Sequence, residues 1–183
     1  MLCIINNYGM IKKYLILIIA FTGLHSCTIF NDEEIFTIYL VRHSEKELSA
    51  DESSDPSLTT CGKERSNRLK DFFSNVELDA IYSTDYIRTK NTALPTSISK
   101  NLEIKLYDGN NLELFSKSLI DAKQDALVVG HSNTTGVLSG LLIGEEIGAF
   151  DLNIYNRVYQ VVFCNKKNRL HLLTTSFECS DSI

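Results

Sequence analysis

No stretch of this chain gathers positive charge. Over 183 residues, 18 Lys and Arg face 23 Asp and Glu, a net charge of -5. Without a basic stripe interleaved with aromatics, this balance argues against a nucleic-acid-binding surface, so any phosphate must be met locally by a few arginines. The cysteines show no Cys-x-x-Cys spacing, which argues against a zinc site. Internal repeats and low-complexity tracts are missing too, and with 44% hydrophobic and 22% charged residues the composition is that of one globular domain. The apolar run at residues 14–21 is well short of the roughly 20 residues that span a bilayer.

That run has a different logic. Lys12 and Lys13 precede it and Thr22-Gly23-Leu24-His25-Ser26-Cys27 follows it, the three-part layout of a secretory signal. Leu24, Ser26 and Cys27 resemble the Leu-x-small-Cys box of bacterial lipoprotein signals, cleaved before the Cys and lipidated on it; His25 is an unusual occupant of the second position. The resemblance implies a signal at residues 1–27 ending at a lipidated Cys27, a polar tether at 28–34 and a domain at 35–183. It also implies a membrane partner through the anchor, in a bacterial cell envelope. Met10, just before Ile11-Lys12-Lys13, is an alternative start to Met1. Among Cys61, Cys164 and Cys179 one disulfide with an odd thiol is compatible with such a compartment, and the pairing stays open.

Within the domain, residues 36–41 form an apolar, β-branched run that breaks off into Arg42, His43, Ser44 and Glu45. A buried strand is expected to end in turn residues, so a cation beside an imidazole at that point suggests a strand aiming His43 at a substrate. Residues 46–60 are loop by composition. Thr59 or Thr60 caps a helix to about Val76, with Leu69, Phe72, Phe73 and Val76 on one face and Lys63, Glu64, Arg65 and Lys70 on the other. Strands are predicted at 80–83, 104–107 and 126–129, each followed by a helix. Thr84-Asp85 reads as the cap of the helix carrying Arg88, which Pro95 should end or kink. Two last strands, 158–163 and 170–175, flank a hairpin loop. His171, in the alternation of the last strand, reads as structural.

Strands alternating with helices imply a mostly parallel sheet in a three-layer α/β/α sandwich, with ligands outside the carboxyl ends of the strands. His43, Thr84-Asp85, Asp108 and His131 all fall just past such ends, so four sequence-distant points share one rim. Two imidazoles, one or two guanidiniums and a carboxylate suit phosphoryl transfer. A neutral His43 can attack phosphorus, Arg42 and Arg88 can hold the non-bridging oxygens, and His131 with the backbone of Ser132 and Asn133 at a helix N-terminus can add donors. Cationic side chains can carry the charge by themselves, so no metal or cofactor is expected. Gly130-His131-Ser132-Asn133-Thr134 lacks the Gly-x-Ser-x-Gly frame of a serine nucleophile.

Leu40-Val41-Arg42-His43-Ser44-Glu45, then Tyr82-Ser83-Thr84 with Arg88-Thr89-Lys90-Asn91-Thr92-Ala93, then Val128-Val129-Gly130-His131-Ser132-Asn133 resemble, in order, the signature stretches of the histidine phosphatase (phosphoglycerate-mutase-like) superfamily. Asp55-Pro56-Ser57-Leu58-Thr59 and Gly62 resemble its segment before the first helix. The resemblance implies that His43 is the phosphorylated nucleophile, Arg42 and Arg88 the pocket arginines and His131 the second pocket histidine. It further implies a metal-independent phosphatase acting on a small phosphorylated substrate or a phosphoprotein; the alternatives are a phosphomutase or a catalytically weak phosphate-binding module. The family usually has Gly or Ala where this chain has Ser44, a change that could crowd the pocket. Asp108 is the expected proton donor, with Asp85 its rival and the turn at Gly109 a competing role. Mass spectrometry of the membrane fraction tests the anchor: a peptide beginning at acylated Cys27 is expected, and an unmodified Cys27 contradicts it.

Overall fold

The computed structural model describes residues 35–48, 54–164 and 168–179. The signal, the tether, Cys27 and most of the last hairpin loop lie outside these residues. Among the described residues no helix is long and apolar enough to cross a membrane.

Strand β1 (Ile35–Arg42) is followed by α1 (Thr60–Phe72), β2 (Ala80–Ser83), α2 (Ile87–Lys100), β3 (Ile104–Leu106), α3 (Leu112–Ala122), β4 (Ala126–Gly130), α4 (Thr135–Ile143), β5 (Arg157–Cys164) and β6 (Arg169–Thr174). The strands form one sheet in the order β3-β2-β4-β1-β5-β6. The first four of these are parallel, and β5 and β6 join antiparallel at one side.

Each face of the sheet is covered because β1 and β4 are apolar on both sides. Ile38, Leu40 and Val128 pack with Phe115 and Leu119 of α3 and Leu138 and Leu142 of α4. Tyr39, Val41, Leu127 and Val129 pack with Leu69 and Phe73 near α1 and Ala93 of α2. The result is the α/β/α sandwich expected from the alternation of elements.

Several boundaries move for local reasons. Helix α1 starts as predicted, with Thr59 Oγ1 accepting from Gly62 N at 2.9 Å, but it ends at Phe72, before Val76. Arg65, placed by periodicity on the solvent face, is instead nearly buried in an ion pair with Glu45. Helix α2 is not capped by Thr84 or Asp85; its first amide, Ile87 N, donates to the carboxylate of Asp55 at 2.9 Å. It also runs through Pro95 to Lys100. The proline removes one donor, while Thr92, Ala93, Thr96 and Ser97 remain buried on the packed face.

Cys61 in the first turn of α1 is bonded to Cys179, which leaves Cys164 outside the bridge. The bridge ties the segment after β6 to α1, and Phe177 O accepts from Arg65 Nη1 at 2.9 Å on the way. Cross-linking across 118 residues restricts the unfolded chain, so Cys179→Ser or reduction should lower the unfolding free energy by about 2–5 kcal/mol. Urea unfolding with and without reductant checks this, and an unchanged midpoint contradicts it.

Candidate active site

The register of β1 and β4 sets the geometry. Arg42 pairs with Gly130, so the next residue on each strand, His43 and His131, leaves the sheet side by side. His43 N donates to Gly130 O at 2.9 Å, and the two imidazoles lie edge to face with centroids 5.4 Å apart. Strand β2 brings Thr84 beside them, its Oγ1 2.9 Å from His131 Nε2, and the first turn of α2 delivers Arg88. The wall of a cavity of about 310 Å³ includes Arg42, His43, Arg88 and His131, with Ser132 and Asn133 beside them.

Each imidazole is held in place. His43 is 3% exposed, and its Nδ1–H donates to the carbonyl of Ser44 at 2.7 Å. A carbonyl can only accept, so Nδ1 carries the proton and Nε2 keeps its lone pair. Burial, followed by the charges of Arg42, His131 and Arg88, lowers the His43 pKa to about 3. His131 is lowered to about 4, first by burial and then by Arg88 and Arg42. At neutral pH both rings are uncharged, which is the state a nitrogen nucleophile requires.

The two guanidiniums have different supports. Arg88 Nη1 lies 3.2 Å from Asp55 Oδ1 and its Cζ sits 4.2 Å from the ring centre of Tyr86. Arg42 bonds to the loop before β5. In both residues Nε is buried and has no hydrogen-bond partner. An unpaired buried donor is costly, and two of them on a cavity wall beside neutral histidines make a site that favours an anion with several acceptor oxygens.

Ser44 does not crowd the cavity. It is buried beneath the site, its Oγ 3.1 Å from Ser66 Oγ of α1 and its N–H donating to Thr92 Oγ1 of α2 at 2.9 Å. Ser132 and Asn133 reach the cavity from a turn ahead of α4, which begins at Thr135. Asp108 is not brought to the wall. It is exposed, and its Oδ1 accepts from Asn110 N and Nδ2 at 2.9 and 3.1 Å, which closes the turn and leaves Gly109 and Asn110 at the cavity. Asp85 is exposed and paired with Lys90 at 2.6 Å, and His171 is exposed on the edge strand β6. Lys46 joins the cavity wall, whereas Glu45 turns away to Arg65.

Among the described residues, the one grouping of Cys, His and acidic side chains close enough to share an ion is Glu45 with Cys61 and Cys179, and both sulfurs are held in the disulfide.

Residues 38–109 match the histidine phosphatase superfamily, branch 1. The matched segment carries Arg42, His43 and Arg88, while His131 lies beyond it and joins the site through the β1–β4 pairing. No curated protein sequence matches the chain. Solved structures share the fold at low identity. The protein histidine phosphatase SixA complexed with tungstate superposes with a TM-score of 0.63 at 17% identity, covering 76% of this chain and 97% of its own. The alpha-ribazole phosphatase from Shigella flexneri gives 0.64 at 16%, covering 76% and 96%. A mycobacterial glucosyl-3-phosphoglycerate phosphatase gives 0.63 at 11%, covering 78% and 100%.

Tyr86, Tyr155 and Leu152 at or beside the cavity were not legible as site residues, since no periodicity or spacing marks a loop aromatic. The lowered histidine pKa values have a stability consequence. Below about pH 6.5 the unfolded chain binds protons that the folded domain refuses, so this contribution to stability is present above pH 6.5 and is lost as pH falls toward 4 and then 3. Nitrogen-15 NMR of labelled histidines should find His43 and His131 neutral at pH 5.5, with His43 as the Nδ1–H tautomer; protonation of either at that pH contradicts the assignment.

Proposed function

We propose that the domain is a metal-independent phosphatase that hydrolyses phosphomonoesters, or a related phosphoryl compound, through a phosphohistidine on His43. The observation that carries this reading is the meeting, in one cavity, of a neutral imidazole whose Nε2 is unprotonated with two arginines that each keep an unpartnered buried donor. The phosphatases named among the similar folds support the same reaction class.

In the first step Nε2 of His43 attacks phosphorus and the P–O bond to the leaving group breaks, its electron pair going to the leaving oxygen, which takes up a proton from solvent. The Nδ1–H bond to Ser44 O holds the ring in line and stabilises the positive charge that spreads over it. Arg42 and Arg88 neutralise the non-bridging oxygens, with His131 beside them. In the second step water attacks the phosphohistidine, the P–N bond breaks, and orthophosphate leaves as Nε2 recovers its lone pair. Binding of a dianion offsets the repulsion among the cationic groups, so substrate enters a field already arranged for it.

With Oδ1 engaged in its own turn and no place on the cavity wall, Asp108 has a shaping role rather than that of proton donor. Asp108→Asn should therefore change turnover of alkyl phosphates and of nitrophenyl phosphate by similar, small factors; a selective loss on alkyl phosphates would restore it as the donor. The signal sequence resemblance and the tether support a lipid-anchored enzyme at a bacterial envelope.

Hydrolysis of nitrophenyl phosphate with wild type and His43→Ala tests the main reading. Wild-type turnover, acid-labile and alkali-stable phosphate on the quenched protein, and a loss of at least about 10³-fold in His43→Ala are expected. Phosphate binding without turnover by either protein would instead favour a binding module.

A further inference from the structure

The loop that enters β5 sits against the back of Arg42. Its Nη1 donates to the carbonyl oxygens of Leu152 and of Ile154, the latter at 3.2 Å. Nη2 donates to Tyr155 Oη at 3.3 Å, and Cζ lies 4.0 Å from the centre of the Tyr155 ring. A guanidinium has five N–H donors in one plane. Three of Arg42's are taken by this loop, which leaves Nε–H and the second N–H of Nη2. Nε and Nη2 together form the side-on edge of the guanidinium, the edge that matches two oxygens of a phosphate. Nε is the donor that is buried and unpartnered.

We propose that Tyr155, with the Leu152 and Ile154 carbonyls, is a positioning element for Arg42: its ring and hydroxyl seat the guanidinium so that only the Nε/Nη2 fork is offered to the phosphoryl group. The inference rests on the phosphatase reading of the cavity.

The seat has a second layer of support. Asn156 O accepts from Thr175 N at 2.8 Å, in the segment that continues to the Cys61–Cys179 bridge, so the loop is braced by that segment. Arg42 is 6% exposed, and burial lowers its pKa without neutralising it, since arginine keeps its charge in proteins. A buried permanent cation without a carboxylate bonded to it needs neutral dipoles and a π face around it, and the 152–155 loop supplies both. Tyr155 also faces His43, with ring centres 6.2 Å apart, so one side chain borders both the clamp and the nucleophile.

The test compares wild type, Tyr155→Leu, Tyr155→Phe and Arg88→Ala, measuring orthophosphate binding by titration calorimetry and nitrophenyl phosphate kinetics. Tyr155→Leu keeps an apolar side chain and removes both the ring and the hydroxyl. It should weaken orthophosphate binding and raise KM by roughly tenfold, with kcat changed less than KM. Tyr155→Phe keeps the ring and should stay within about threefold of wild type. Because Tyr155 is only half-buried both variants should fold, and thermal unfolding checks that they do. Orthophosphate affinity and KM of Tyr155→Leu within twofold of wild type would overturn the proposal, and so would a Phe variant as weak as the Leu variant. Arg88→Ala separates the levels: if it loses phosphate affinity while Tyr155→Leu does not, only the positioning role fails. If wild type neither binds orthophosphate nor turns over substrate, the phosphatase reading fails and the positioning role with it.

Discussion

The parallel pairing of β1 with β4 is the constraint on which the site depends. Register places Arg42 opposite Gly130, so two histidines 88 positions apart in sequence leave the sheet as neighbours. A slip of one residue would turn Arg42 and every other β1 side chain to the opposite face and separate the rings. Gly130 protects this register from above. A Cβ there would come within 2.6 Å of Tyr107 Oη and 2.7 Å of Thr134 Oγ1, so the backbone can approach the turn that carries His131 only without a side chain.

Around that pairing, neighbouring helices hold the loop after His43 through polar contacts beneath it. Ser44 uses its N–H toward α2, its carbonyl toward the His43 ring and its hydroxyl toward α1. Gly62 lets α1 press on the same loop, since a Cβ would meet Glu45 O at 2.1 Å. Ser44 is therefore a connector between His43 and both helices on that face. Thr92 Oγ1 donates in turn to Arg88 O at 2.7 Å, which couples the loop to the helix turn bearing the second arginine.

Electrostatically the site is built around a deficit of negative charge. Both guanidiniums lie over tyrosine rings, Arg88 on Tyr86 and Arg42 on Tyr155, and Asp55 pairs with Arg88. Burial together with these cations keeps the histidines neutral. The cations that add to burial in keeping a proton off His43 also favour an anion in the cavity.

The amino-acid sequence alone determined the layers of the fold and the identity of the rim. Apolar runs of strand length end abruptly in Arg42-His43 and Gly130-His131, and a parallel sheet puts such ends on one side. Those are local patterns plus a chirality rule, and they survive without coordinates. Tertiary structure alone decided which polar partner each site residue has. Asp55 rather than Asp85 meets the first amide of α2, Asp108 turns to Asn110, Arg65 is drawn in by Glu45, and Cys179 is the partner of Cys61. Tyr155 became visible only when the loop before β5 was seen folded against Arg42. Hydrogen bonds and ion pairs depend on distances of a few ångströms between segments far apart in the chain, and neither periodicity nor spacing carries those distances.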